Sequence, residues 1–312
     1  MRRIFVGVAL LLFYALPAAS EGICEGRKVS DANVFAAPIC VPQTPKRVVV
    51  LDPSFGLAIG LDVGLPIVGA PLERMSDAAL HKRAVDRGIT SLGFVTEPSL
   101  ERLVALQPDL IVAFTGSESL ASGVYPMVSQ LAPTLIYTKP DWRAFYALLA
   151  EFTGKTAEVT EQLAALDARV AALREKMPET KVSVLRVTSW DFQVYLDSPG
   201  GYAPFNILRD AGVTRSAYET TTDAGEVFKR PDWEELAQLD GDILLYIIGG
   251  TNDSDKNGRM EELLSNPLWQ LLPAVKAGRV HRVDHGHWMQ FSGLDSAHRI
   301  LDDLEKFVIG GQ

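Results

Sequence analysis

The stretch over residues 100–112 and the stretch over residues 233–245 carry one pattern, Glu-x-Leu-x-x-Leu-x-x-Asp followed by three apolar residues. Apolar side chains three apart mark one face of a short helix, and Pro108 or Gly241 ends it. The unbroken apolar run that follows is the mark of a strand buried in a parallel sheet. Each copy therefore predicts helix, tight turn and central strand. Recurrence 133 residues later predicts an α/β protein of two lobes, each a mainly parallel sheet flanked by helices. The cleft between them is the expected place for a small molecule.

The remaining pattern fills in both lobes. A strand over 47–52, a short helix to Leu61, and strands over 66–69, 109–114 and 134–137 alternate with helices, as in a parallel sheet. Ligands in such sheets sit beyond the carboxyl ends of the strands, which singles out Asp52, Ser54, Arg74, Phe114, Thr115 and Ser117. Val159, Leu163, Leu166, Val170, Leu173 and Met177 then recur at spacings of four and three. They predict one helix over 155–177, about 35 Å long, stiff because no Gly or Pro interrupts it before Pro178. Its alternative is an ordinary surface helix within one domain. The second lobe opens with a strand over 181–190 in which Arg186 lies opposite Leu185 and Val187, or else at a solvated edge. A helix over 231–239, strands over 242–248 and 279–284, and a closing helix over 293–308 complete it. The expected division is 1–20 as signal segment, 21–140 as first lobe with an arm over 21–45, 141–178 as helical connection, and 179–312 as second lobe.

Arg2 and Arg3 precede an apolar stretch over 4–16 and then Pro17-Ala18-Ala19-Ser20, which has the form of a cleaved secretory signal peptide too short to span a membrane. Export to the periplasm follows as the expectation. A lipoprotein would acylate Cys24, but Ile23 is bulky where a small residue is needed. The two cysteines, Cys24 and Cys40, are expected to pair in an oxidising compartment, closing a loop that stabilises by about 3 kcal/mol in the chain-entropy model. The alternative is two free thiols. Loss of Arg2 and Arg3 takes the formal net charge from −9 to −11, since residues 1–20 hold no Asp or Glu. Such acidity opposes nucleic-acid binding and requires a local arginine cluster for any anionic ligand.

Several chemical motifs are incomplete. His285 and His287 offer two imidazoles, but zinc needs three or four ligands, and His81 and His298 have no matching spacing. No metal site is expected. Asp253-Ser254-Asp255 opens like a calcium loop, yet Leu264 stands where a bidentate Glu is required. No nucleophile elbow, phosphate loop or Cys-x-x-Cys occurs, so a chelate-processing enzyme is the weaker reading.

Taken together, Pro45 to Leu51, the segments 100–112 and 182–186, Asn266-Pro267-Leu268-Trp269, Lys276 to Val280, and Trp288 with Leu301-Asp302-Asp303-Leu304 resemble the substrate-binding proteins of ABC importers for ferric siderophores, haem and cobalamin. The resemblance covers nearly all of the chain after residue 20. It implies two lobes joined by one rigid helix, a shallow cleft with modest closure, a monomeric receptor without a resident cofactor, and a permease dimer as partner. The strand arginine and the ending from Trp288 to Asp303 resemble the siderophore branch more than the cobalamin branch, with haem as the other alternative. On that reading Arg74 and Arg186 supply forked donors to an anionic ferric chelate, while Trp190, Tyr202, Trp288 and Phe291 cover its apolar flanks. His287 stands as a hydrogen-bond donor to a siderophore or an axial ligand to haem iron. In this family a Glu on each lobe docks onto permease arginines, and Glu101 and Glu234 occupy that place. Acidic residues also sit in first helical turns simply because the helix dipole favours them there.

Overall fold

The computed structural model describes residues 24–249 and 256–311. The expected signal segment and Asp253-Ser254-Asp255 lie outside them. The strands are β1 Arg27–Val29, β2 Ile39–Val41, β3 Val48–Val50, β4 Ile67–Ala70, β5 Thr90–Ser91, β6 Gly93–Phe94, β7 Glu97–Pro98, β8 Leu110–Phe114, β9 Thr134–Tyr137, β10 Val182–Val187, β11 Phe192–Tyr195, β12 Phe228–Lys229, β13 Ile243–Ile247 and β14 Val280–Val283. The helices are α1 Phe55–Val63, α2 Ala78–Asp86, α3 Leu100–Ala105, α4 Glu118–Val128, α5 Trp142–Thr153, α6 Thr156–Arg174, α7 Ala203–Asp210, α8 Arg259–Ser265, α9 Pro273–Lys276, α10 His285–Met289 and α11 Leu294–Leu304.

Two five-stranded sheets result, ordered β5-β4-β3-β8-β9 and β12-β11-β10-β13-β14. The first is wholly parallel. Val48, Val49 and Val50 are fully buried at its centre, as a strand covered by helices on both faces must be. In the second, β10, β13 and β14 run parallel while β11 and β12 turn back antiparallel. The repeated pattern delivers β8 to the side of β3 and β13 to the side of β10.

One hydrophobic core runs through both lobes, including Val48 and Leu57 of the first, Val184 and Phe205 of the second, and Leu166 and Val170 of α6 between them. Smaller cores cover the outer face of each sheet. Helix α6 packs on α5, α7 and α11, and Arg169 bonds Asp302 (2.5 Å), Glu305 (3.0 Å) and the His298 carbonyl (3.1 Å). The connection therefore packs by one face, through Val159, Leu166, Val170 and Leu173, against helices of both lobes.

Three expectations about helices change. Helix α6 ends at Arg174, not at 177, and is about 28 Å long at 1.5 Å per residue. The helix expected over 231–239 is a 3₁₀ turn, Glu235–Gln238. There the Asp232 carboxylate takes the N–H groups of Glu234 (2.9 Å) and Glu235 (2.8 Å), and Glu235 reaches back to the Asp232 N–H (3.1 Å). This capping box uses up most of a segment that Pro231 and Gly241 already confine. The closing helix α11 passes into a π-helical turn at Glu305–Ile309. Cys24 and Cys40 form a disulfide with Cα atoms 5.6 Å apart, so Cys24 is not free for acylation.

Candidate ligand site

The chain leaves β4 through Arg74, Met75 and Ser76, and leaves β13 and β14 through Ile248, Gly249, Asp284 and His285. These residues, with Arg282 and Gly286, line an open cleft of about 500 Å³ between the lobes. The Gln290 side-chain oxygen accepts the backbone N–H groups of Ser76 (2.6 Å) and Asp77 (2.9 Å), binding the lobes together beside it. Arg74 stands at φ 58° with its guanidinium 5.1 Å from the centre of the Phe94 ring. It is exposed and bonds no carboxylate among the described residues.

A row of aromatic rings crosses from one lobe to the other. Phe114 packs on Phe55 (4.4 Å between centroids) and Phe55 on Phe291 (5.7 Å). The Tyr202 hydroxyl accepts the Phe291 N–H (3.3 Å) and donates to the Met289 carbonyl (3.1 Å). Tyr195 then packs on Tyr202 (5.9 Å) and Phe228 (5.6 Å). Phe55, Phe114, Tyr195, Tyr202 and Phe228 are all partly exposed. Arg186 joins this row by donating from Nη1 to the Tyr195 hydroxyl (3.2 Å) and to the Gln193 side-chain oxygen (3.1 Å). Trp190, three residues past the end of β10, is 61% exposed.

Asp52 marks the first lobe's side of the row, at the point where strand order reverses between β3 and β8. Its carboxylate accepts the N–H groups of Gly56 (2.7 Å) and Phe114 (2.9 Å). Burial pushes its pKa up to about 6 against the pull of those N–H groups. A Cβ on Gly56 would stand 2.2 Å from an Asp52 oxygen and 2.7 Å from Val50, so only glycine lets α1 start this close to the strand. Asp52 is therefore a brace that shapes the strand ends, with its oxygens already engaged.

The structure divides the expected site residues. Arg74 lines the inter-lobe cleft, and Arg186 and Tyr202 belong to the aromatic row. Trp288 does not reach either surface: it is fully buried, and its indole N–H donates to Asp303 (2.8 Å). His287 is 7% exposed, held between Asp303 (2.8 Å) and Asp284 (3.4 Å). Burial opposes its charge, but hydrogen bonds to Asp284 and Asp303 prevail and hold its pKa at about 9. Both residues are corrected to structural roles, because each is buried away from the ligand surfaces and held by Asp303, with Asp284 as a second ion-pair partner of His287. Phe291 is likewise fully buried, beneath Phe55. His285 remains at the cleft. Among the described residues, no three His, Cys, Asp or Glu side chains gather as a metal site requires. Phe55, Tyr195 and Gln193 were not anticipated; period-two alternation along β11, with Gln193 and Tyr195 flanking Val194, was the available signal.

A family model described as periplasmic binding protein matches residues 48–285. The chain belongs to that family. Among its relatives, the Fe(3+)-citrate-binding protein YfmC of Bacillus subtilis is 30% identical over 86% of this chain and 82% of its own length. The ferric enterobactin-binding periplasmic protein FepB of Escherichia coli O6:H1 is 30% identical over 92% of each. Staphylococcus aureus SirA, solved in complex with staphyloferrin B, superposes with a TM-score of 0.71 over 85% of this chain and 94% of that one at 24% identity, a likeness of fold. In this periplasmic binding protein Glu101 is exposed in the first turn of α3, capped by Ser99. Glu234 is exposed at the start of the 3₁₀ turn.

Proposed function

We propose that this periplasmic binding protein is the receptor of an ABC importer and carries a ferric siderophore between its lobes. The observation that carries the reading is a pair of arginines, one from each lobe, with no carboxylate partner among the described residues. Arg186 is bonded into the aromatic row and Arg74 lines the inter-lobe cleft. Forked guanidinium donors suit anionic oxygen ligands, and aromatic faces suit the flanks of a bulky chelate. The relatives named for ferric citrate and ferric enterobactin support the same class. The protein acts as a binder, not an enzyme; iron arrives within the ligand, with no resident cofactor. It works as a monomer exported to the periplasm, and Glu101 and Glu234 face arginines of a paired permease.

Titration with ferric chelates tests this through tryptophan fluorescence. At least one ferric siderophore is expected to quench saturably, with affinity falling in Arg186→Ala. Binding of haem or cobalamin alone would contradict the assignment, and an unchanged affinity in the variant would remove Arg186 from the site.

A further inference from the structure

We infer that the second lobe's share of the site is a preorganised two-arginine cradle that selects anionic chelates. In it Arg230 is the second cation, and Gln193, Tyr195 and Asp191 are positioning residues. This rests on the ferric-chelate reading above and narrows it.

The antiparallel register sets Arg186 directly opposite Gln193. Gln193 is 6% exposed, so its amide is fixed in place, and its oxygen and Tyr195 both draw on Nη1 of Arg186. The amide nitrogen of Gln193 in turn donates to both oxygens of Asp191 (3.3 Å each). Asp191 accepts from Thr188 Oγ1 on one oxygen and from Arg230 Nη1 (2.7 Å) on the other. Arg230, just past β12, also lies 5.3 Å from the centre of the Phe228 ring. One unbroken chain of hydrogen bonds therefore runs Tyr195, Arg186, Gln193, Asp191, Arg230.

Two consequences follow from this chain. It holds two guanidinium groups and one carboxylate, so it is net positive in a protein whose formal charge is −9. The single carboxylate is already spent on Thr188, Gln193 and Arg230. Moreover, both neutral partners of Arg186 occupy Nη1, and the edge formed by Nε and Nη2 bonds no described residue. That edge is the fork that matches a carboxylate with two parallel bonds. A half-buried guanidinium with only neutral partners gains most from an arriving anion, because its charge is already partly desolvated. The ligand class is thus an anionic oxygen-donor chelate, such as a ferric carboxylate, in preference to a neutral ferric trihydroxamate.

Fluorescence titrations of the full chain with ferric citrate and with a neutral ferric trihydroxamate provide the test. Ferric citrate is expected to bind at least about 10-fold more tightly, the margin of one charge-assisted hydrogen bond. Gln193→Glu keeps the acceptor for Arg186, removes the donor to Asp191 and adds a negative charge. It should cut ferric-citrate affinity about 10-fold and collapse the selectivity, a change that lost packing alone does not produce. Arg230→Gln should flatten the salt dependence of ferric-citrate binding. Equal affinity for the two chelates, or selectivity retained in Gln193→Glu, overturns the cradle while leaving a siderophore receptor. Failure of every ferric chelate to bind overturns both.

Discussion

In the first lobe the Asp109 carboxylate accepts the N–H groups of Lys46 (2.7 Å) and Arg47 (2.9 Å), and its own N–H donates to the Arg47 carbonyl (3.0 Å). In the second, the Asp242 carboxylate accepts the Lys181 N–H (3.0 Å), and its N–H donates to the Lys181 carbonyl (2.9 Å). These are the two aspartates of the repeated pattern, and each ties the start of a new strand to the start of its parallel neighbour. The lobes share this joint and differ at the opposite ends of their sheets. The first lobe closes its strand ends on a buried carboxylate, Asp52, engaged by backbone N–H groups. The second carries a hydrogen-bonded row, Tyr195, Arg186, Gln193, Asp191 and Arg230, along β10 and its antiparallel extension, β11 and β12, which the first sheet does not have. Repetition therefore preserved the means of building a sheet, while the chemistry grew where the lobes diverge.

The largest effect should come from surface charge that both lobes share. Glu101→Arg combined with Glu234→Arg is expected to abolish uptake and permease-stimulated ATP hydrolysis while ligand binding stays near wild type, since rim charges govern docking more than the cleft. Normal transport by the folded double variant would remove both residues from docking. Next, Arg186→Ala should weaken ferric-chelate binding by about 10- to 100-fold, as expected for a charged hydrogen bond lost, and Arg74→Ala by less, because Arg74 is exposed and its charge already hydrated. Equal losses measured by titration would erase the proposed asymmetry between lobes.

The next two tests concern stability. Gly56→Ala should cost about 1–3 kcal/mol in denaturant unfolding, the usual penalty of overpacking, because the new methyl displaces the Asp52 brace. A neutral result would mean that the brace is dispensable. In the second lobe, His287→Asn should lower stability by about 3 kcal/mol at pH 6, given a folded pKa of about 9 against an ordinary 6.5. A raised histidine pKa contributes fully below pH 6.5 and is lost as pH rises through about 9. The difference between variant and wild type should therefore shrink across that window, and a constant difference would assign the loss to packing.

The sheets were legible because their signals are local. Val48 to Val50 and Ile243 to Leu245 are buried runs, and Val159, Leu166, Val170 and Leu173 of the expected seam are buried on α6, with Leu163 half-buried and Met177 beyond the helix end. The second copy of the pattern misled on helix type because Asp232 and Glu235 complete a capping box within a segment too short to continue. The site was harder to read. Trp288 and His287 have the side chains of a ligand pocket, but Asp303 of α11, fifteen and sixteen residues away, bonds the Trp288 indole and the His287 Nε2 within the fold. The contacts that join Gln193 and Arg230 to Arg186 and Asp191 form only when β11 and β12 fold back beside β10. Arg74, in the segment that follows β4, lines the inter-lobe cleft, where the strand ends of such folds open.

Native mass spectrometry of the full mature protein, offered an anionic ferric siderophore, haem and cobalamin together, tests the central claim most directly. The account predicts a single 1:1 complex with the ferric chelate that is depleted in Arg186→Ala. Retention of haem or cobalamin in its place, with the ferric chelate left free, would contradict it.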